Sequence, residues 1–122
     1  MFIAQNVVDG LLSYCNNLHP REGILLVRGK SFNKEIRINA LMIPPLPIHS
    51  ESYSSFPIHM LPLDTSILGT AHSHPNGVLR PSLEDLNNYF GKVMIIVGFP
   101  YRNEFDIEVF DREGNRAVYA II

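Results

Sequence analysis

Residues 67–85 read ILGTAHSHPNGVLRPSLED. The first part, Ile67 to His74, is an apolar run ending in two histidines and predicts a buried strand. Pro75-Asn76-Gly77 breaks it. Pro81-Ser82-Leu83-Glu84-Asp85 has the make-up of a helix start, and the helix is expected to run to about Phe90. A strand that turns directly into a helix points to a layered α/β fold.

The flanks extend that pattern. Lys92 to Gly98, KVMIIVG, reads as another buried strand. Upstream, Glu22 to Arg28, EGILLVR, is a short apolar run bounded by Pro20 and Gly29, again a buried strand. Glu35 to Ile43 is a further strand, stopped by Pro44-Pro45. Residues 5–18 place Val7, Val8, Leu11, Leu12, Cys15 and Leu18 at helical spacing, and His19-Pro20 ends that helix. Glu104 to Asp111 and Arg116 to Ile122 flank Arg112-Glu113-Gly114-Asn115, which predicts a hairpin. The closing run, Ala117 to Ile122, is expected to be a core strand, with a face for a homodimer as the alternative. Residues 44–66, with Pro44, Pro45, Pro47, Pro57 and Pro62, read as a functional loop, in which Met60 to Leu63 forms a short edge strand. The expectation is one α/β domain over residues 1–122, a mixed β-sheet flanked by helices.

Composition narrows the function classes. The chain has 122 residues, 46% hydrophobic and 18% charged, and a formal net charge of -2. Its Lys and Arg are scattered, so no electrostatic footprint for nucleic acid is present. Cys15 is the one cysteine, which excludes an internal disulfide and a cysteine-based zinc knuckle. It is expected to be a small buried hydrophobe on the first helix. No apolar stretch approaches the roughly 20 residues that span a bilayer. Residues 1–10 lack the features of a signal peptide, so the cytoplasm is the expected compartment.

His72 and His74 stand two apart, which on a strand sends both imidazoles to one face. Two such nitrogens can share a zinc ion, and Asp85 at the start of the following helix can be the third ligand. Two histidines and a carboxylate leave the fourth tetrahedral position open to water, the mark of a catalytic site. Zinc lowers the pKa of such a water to about 7. Glu22, an acid at the start of a buried apolar strand, is the candidate general base. Ser82 can donate its hydroxyl to the oxyanion of a tetrahedral intermediate. Each residue also has a blander reading. Ser82 and Asp85 form a helix-capping pair, the histidines are polar residues on a sheet face, and Glu22 is a solvated strand end. The combination in one short chain favours the metal site. His19, His49 and His59 have no partner pattern and are expected at the surface or in loops. Tyr53, Phe56 and Tyr101 line a substrate groove or pack in the core.

His72-Ser73-His74-Pro75, the gap of seven residues to Ser82 and then Asp85 resemble the JAMM motif of the JAB1/MPN/Mov34 metalloproteases. Upstream, HPREGILLVRG resembles the segment that carries the family's catalytic glutamate, with the match on Glu22. Downstream, KVMIIVGFPY resembles the strand that follows the motif helix. The resemblance implies zinc held by His72, His74 and Asp85, with Glu22 as acid and base and Ser82 steadying the intermediate. It implies a mixed sheet sandwiched by helices, in the layout shared with zinc deaminases. It implies cleavage of isopeptide or peptide bonds after the terminal glycine of ubiquitin-like proteins. Small stand-alone members are archaeal or bacterial, and archaeal ones act on modifiers that double as sulfur carriers. The chain is too short for the two insertions with which eukaryotic members grip ubiquitin, so a simpler ubiquitin-like or sulfur-carrier partner is implied.

The modifier's glycine-ended tail is expected to add as a strand, in a groove between Ser54–Leu63 and Asn76–Arg80. Two readings compete: a peptidase that trims a sulfur-carrier C-terminus, and a non-catalytic scaffold. A zinc deaminase is excluded, because it needs a Pro-Cys-x-x-Cys segment.

Overall fold

The computed structural model describes residues 1–44 and 64–122. The expected edge strand Met60–Leu63, the groove wall Ser54–Leu63, and His49, Tyr53, Phe56 and His59 lie outside the described residues.

Along the chain the elements are β1 (Phe2–Ile3), α1 (Gln5–Leu18), β2 (Ile24–Phe32), β3 (Glu35–Met42), β4 (Ile67–His74), α2 (Leu83–Asn87), β5 (Val93–Gly98), β6 (Ile107–Phe110) and β7 (Ala120–Ile121). A 3-10 turn at Glu104–Asp106 leads into β6. The strands form one mixed sheet in the order β6-β5-β4-β2-β3-β1-β7. β2 is antiparallel to both β3 and β4. β4 and β5 run parallel, which requires a crossover, and α2 lies on it.

Both faces of the sheet centre are covered, which explains the uninterrupted burial of β5. Val93, Ile95 and Val97 point to one face and join Val7, Val8, Leu11 and Cys15 of α1. Met94 and Ile96 point to the other, where they pack with Tyr89, Phe110 and Leu79 beside α2. Helix α1 starts at Ala4 with no side-chain cap, so packing holds it more than end effects do. Each fully buried Val or Leu on its inner face contributes roughly 1.5–3 kcal/mol.

Three expectations are corrected. Gly29 does not end β2. It sits at a register shift against β3, and the strand continues to Phe32. The turn is the pair Asn33-Lys34, both at positive φ (48° and 66°), as a two-residue hairpin with right-handed strand twist demands. The C-terminal hairpin is only a remnant. A single bridge joins Phe110 to Arg116, and the chain then leaves β6. β7 instead pairs in parallel with β1 at the opposite sheet edge. Ile121 packs against the core there, whereas Val118 and Ile122 stay exposed. Finally, α2 stops at Asn87, short of Phe90. Among the described residues no helix is long and apolar enough to cross a membrane.

Candidate metal centre

Strand alternation puts Thr70, His72 and His74 on the face of β4 that looks toward α2. Ala71 and Ser73 take the α1 face. At the end of β4 the His74 carbonyl accepts from Gly77 N–H at 3.0 Å and from Phe99 N–H at 3.1 Å. Gly77 adopts φ +79°, which a glycine tolerates and which turns the chain toward α2.

Helix α2 begins with a capping box. Ser82 Oγ accepts from Asp85 N–H at 3.0 Å, and Asp85 Oδ2 accepts from Ser82 N–H at 2.9 Å. The capping and metal-ligand readings of these residues are therefore compatible, because the cap is what aims Asp85 at the strand. Its carboxylate, 2% exposed, meets both histidines. His74 Nε2 lies 2.9 Å from Oδ2, and His72 Nδ1 lies 3.6 Å from Oδ1.

The opposite nitrogen of each ring is engaged as well. His74 Nδ1 donates to the Val78 carbonyl at 2.8 Å, which leaves Nε2 as the nitrogen facing Asp85. His72 Nε2 lies 3.0 Å from Thr70 Oγ1, which can accept its proton and leave the Nδ1 lone pair inward. This is the outer support that metal-ligating histidines use. Around zinc with bonds of about 2.0–2.1 Å, tetrahedral ligand atoms stand about 3.3 Å apart. The two nitrogen–oxygen separations straddle that distance, so these donors suit zinc in kind, although among the described residues no three such side chains already form a complete metal-binding group.

The protonation states follow from burial and charge. Burial pushes the His72 imidazole down to about 4, against the pull of Asp85. Burial also depresses His74, but its hydrogen bonds to Asp85 and Val78 and the charges of Asp85 and Glu22 outweigh that and raise it. Burial would raise Asp85, yet the His74 hydrogen bond, His72 and the Ser82 backbone bring it to about 2.

Glu22 lies just before β2. The antiparallel register ends with Ile24 paired to His72, and Glu22 lies two residues before it, toward the end of β4 that carries His74. Ser73 N–H donates to the Gly23 carbonyl at 3.0 Å, which continues that alignment. Glu22 is half-buried, and its charge is felt at His74 and at Tyr101. His72, His74 and Asp85 therefore meet at one end of β4, with Ser82 bonded to Asp85 and Glu22 close enough for its charge to act on His74.

Others fall elsewhere. Cys15 is buried, and desolvation pushes its thiol up to about 12, so it is no nucleophile. Tyr101 is 4% exposed and belongs to the α1-side core, not to a groove. His19 follows α1 in a loop, as expected, and is half-buried. It stacks on Phe99 at 4.4 Å, and its Nδ1 is buried. Thr70, Ser73 and the Val78 carbonyl escaped the sequence reading. Thr70 shares the two-residue alternation of the histidines, the one signal that marked it.

Residues 4–113 match the family model for prokaryotic homologs of the JAB domain. A probable metalloprotease of Haloferax volcanii is 36% identical over 121 residues, covering 92% of this chain and 73% of that protein. A JAB1/MPN domain protein from Archaeoglobus fulgidus has a similar structure, with a TM-score of 0.76 at 30% identity over 100% of this chain and 99% of that one. A structure described as JAMM, a metalloprotease-like zinc site in the proteasome and signalosome, gives 0.73 at 26% identity over 100% and 97%. With the family match spanning nearly all of a chain that has this sheet order and this cluster of histidines and aspartate, the protein belongs to the JAMM metalloprotease family, among the prokaryotic homologues of the JAB domain.

Proposed function

We propose that this metalloprotease is a zinc-dependent isopeptidase that releases small ubiquitin-like modifiers, including those that double as sulfur carriers, from their conjugates. The observation that carries the reading is the convergence of His72 Nδ1 and His74 Nε2 on the Asp85 carboxylate, with the charge of Glu22 acting on His74. His72, His74 and Asp85 would hold the zinc, which when bound polarises a carbonyl and acidifies water.

Glu22 takes the proton that the attacking water gives up and passes it to the departing lysine amine. Ser82 accepts from Asp85 N–H and so keeps its own hydroxyl hydrogen, which it donates to the oxyanion. Thr70 and Val78 keep the imidazoles from rotating as charge develops. Both strands beside β4 are occupied by β2 and β5. An added strand from the substrate tail would therefore lie beside residues 76–80 and not on β4 itself.

The test uses purified protein and a ubiquitin-like protein whose C-terminal glycine is joined to the ε-amine of a fluorescent lysine peptide. The expected result is about one zinc per chain, release of the peptide, and loss of release in Glu22→Gln with zinc retained. Wild-type protein that holds zinc but leaves the isopeptide bond intact would sink the proposal.

A further inference from the structure

We propose that Ser73, between the two histidines, is a positioning residue that fixes Glu22 by holding the backbone of Gly23. The inference rests on the reading of Glu22 as the proton carrier.

Alternation along β4 turns Ser73 away from the metal face, so it touches neither ligand nor substrate. It is 1% exposed, and a buried hydroxyl needs partners. Its partner is Gly23. Gly23 N–H donates to Ser73 Oγ at 2.7 Å, and Ser73 N–H donates to the Gly23 carbonyl at 3.0 Å. In a regular antiparallel pair that exchanges both bonds, the Gly23 N–H would go to the Ser73 carbonyl. Here the side chain takes that place, just before β2 begins, and only one of the two backbone bonds remains.

The other side of Gly23 is also closed. A Cβ there would lie 2.4 Å from Leu18 Cδ1 and 3.2 Å from Tyr14 Cε1, so the last turn of α1 rests on the glycine. Cys15 and Tyr101 close around the Ser73 hydroxyl. Gly23 is thus gripped between helix and strand, and the adjoining Glu22 inherits a fixed position toward the end of β4 that carries His74. Without the hydroxyl, the Gly23 N–H loses its acceptor in a buried place, and the segment must shift to find another. A misplacement of about 1 Å can cost roughly 100-fold in rate.

The test compares wild type, Ser73→Ala, Ser73→Thr, Glu22→Gln and the Ser73→Ala/Glu22→Gln double variant. Zinc content, kcat and KM are measured on the isopeptide conjugate, and exchange of the Gly23 amide is followed by NMR in metal-free protein. Ser73→Ala should lower kcat roughly 10- to 100-fold, with KM and zinc unchanged. Its Gly23 amide should exchange about tenfold faster relative to those of Leu25 and Val27. Ser73→Thr, which keeps the hydroxyl, should restore both. In the Glu22→Gln background, Ser73→Ala should cost nothing further, because the two act through one group. An unchanged Gly23 amide, an unchanged kcat or a fully additive loss overturns the inference. Should the threonine methyl fail to fit, the alanine variant and the double-variant cycle decide alone. If Glu22→Gln turns over normally, the general-base reading fails first and this inference with it. If Glu22→Gln is inactive and Ser73→Ala is not impaired, only the positioning role falls.

Discussion

Asp85 Oδ2 lies 2.9 Å from His74 Nε2 and accepts the Ser82 backbone N–H at the same distance. One oxygen therefore starts a helix and joins it to a strand.

Because His74 is raised above its usual 6.5, acid should displace the metal. Zinc affinity should fall as pH drops below the raised value of His74, approaching roughly tenfold per unit for one competing proton. Competition titrations with a chromophoric chelator at several pH values measure this. A flat profile would contradict the assignment of His74 as a ligand.

The metal-free protein should have its own pH signature. His72 is depressed to about 4, so the unfolded chain protonates first and stability falls as pH drops from about 6.5 to 4. Asp85, depressed to about 2, adds a second loss between about 4 and 2. His74 has the opposite sign. Its contribution is complete below about pH 6.5 and is lost as pH rises through its raised value. Urea midpoints of chelated protein should therefore decline on the acid side, and His72→Gln should remove the upper part of that decline.

Thr70→Val should keep the fold and lower zinc affinity about 10- to 100-fold, because the outer nitrogen of His72 loses its acceptor. Equal affinity in wild type and variant would show that the threonine is merely packing.

Ser82 has two separable duties. Ser82→Ala should cost about 1 kcal/mol of stability through the lost cap and should also slow turnover. Ser82→Asp keeps an acceptor for the Asp85 N–H but has no hydroxyl to donate. Thermal melts should then look like wild type while kcat stays low. Recovery of kcat in the aspartate variant would reduce Ser82 to a cap.

Ile96→Ala should cost about 2–5 kcal/mol, since Ile96 is fully buried. The cluster it shares with Tyr89, Met94, Phe110 and Leu79 lies beside α2, so zinc affinity should weaken in parallel. Denaturant melts and zinc titrations of the same variant test both effects.

The site was legible because its chemistry is written locally. His72 and His74 needed only the two-residue period, and Ser82 and Asp85 only a helix start. Glu22 was suspicious because an acid opened an apolar run. What escaped depended on distant chain. β1 has two residues, too few for any periodicity, and its pairing with β7 joins the two extremes of the sequence. The hairpin forecast failed for that reason, since Ile121 had a better neighbour than β6. Gly29 looked like a boundary because a bulge and a break use the same residue. The stacking of His19 on Phe99 escaped because nothing near His19 in sequence announces that ring.

The capping box closes α2 through Ser82 and Asp85 alone. Ser82 and Asp85 therefore carry information about folding as well as about hydrolysis. In a lineage that stopped cleaving, drift would erase Glu22 and His72 while the helix start kept the other two letters. A descendant reduced to scaffolding would still display Ser-x-x-Asp, and its silence would be read at the glutamate.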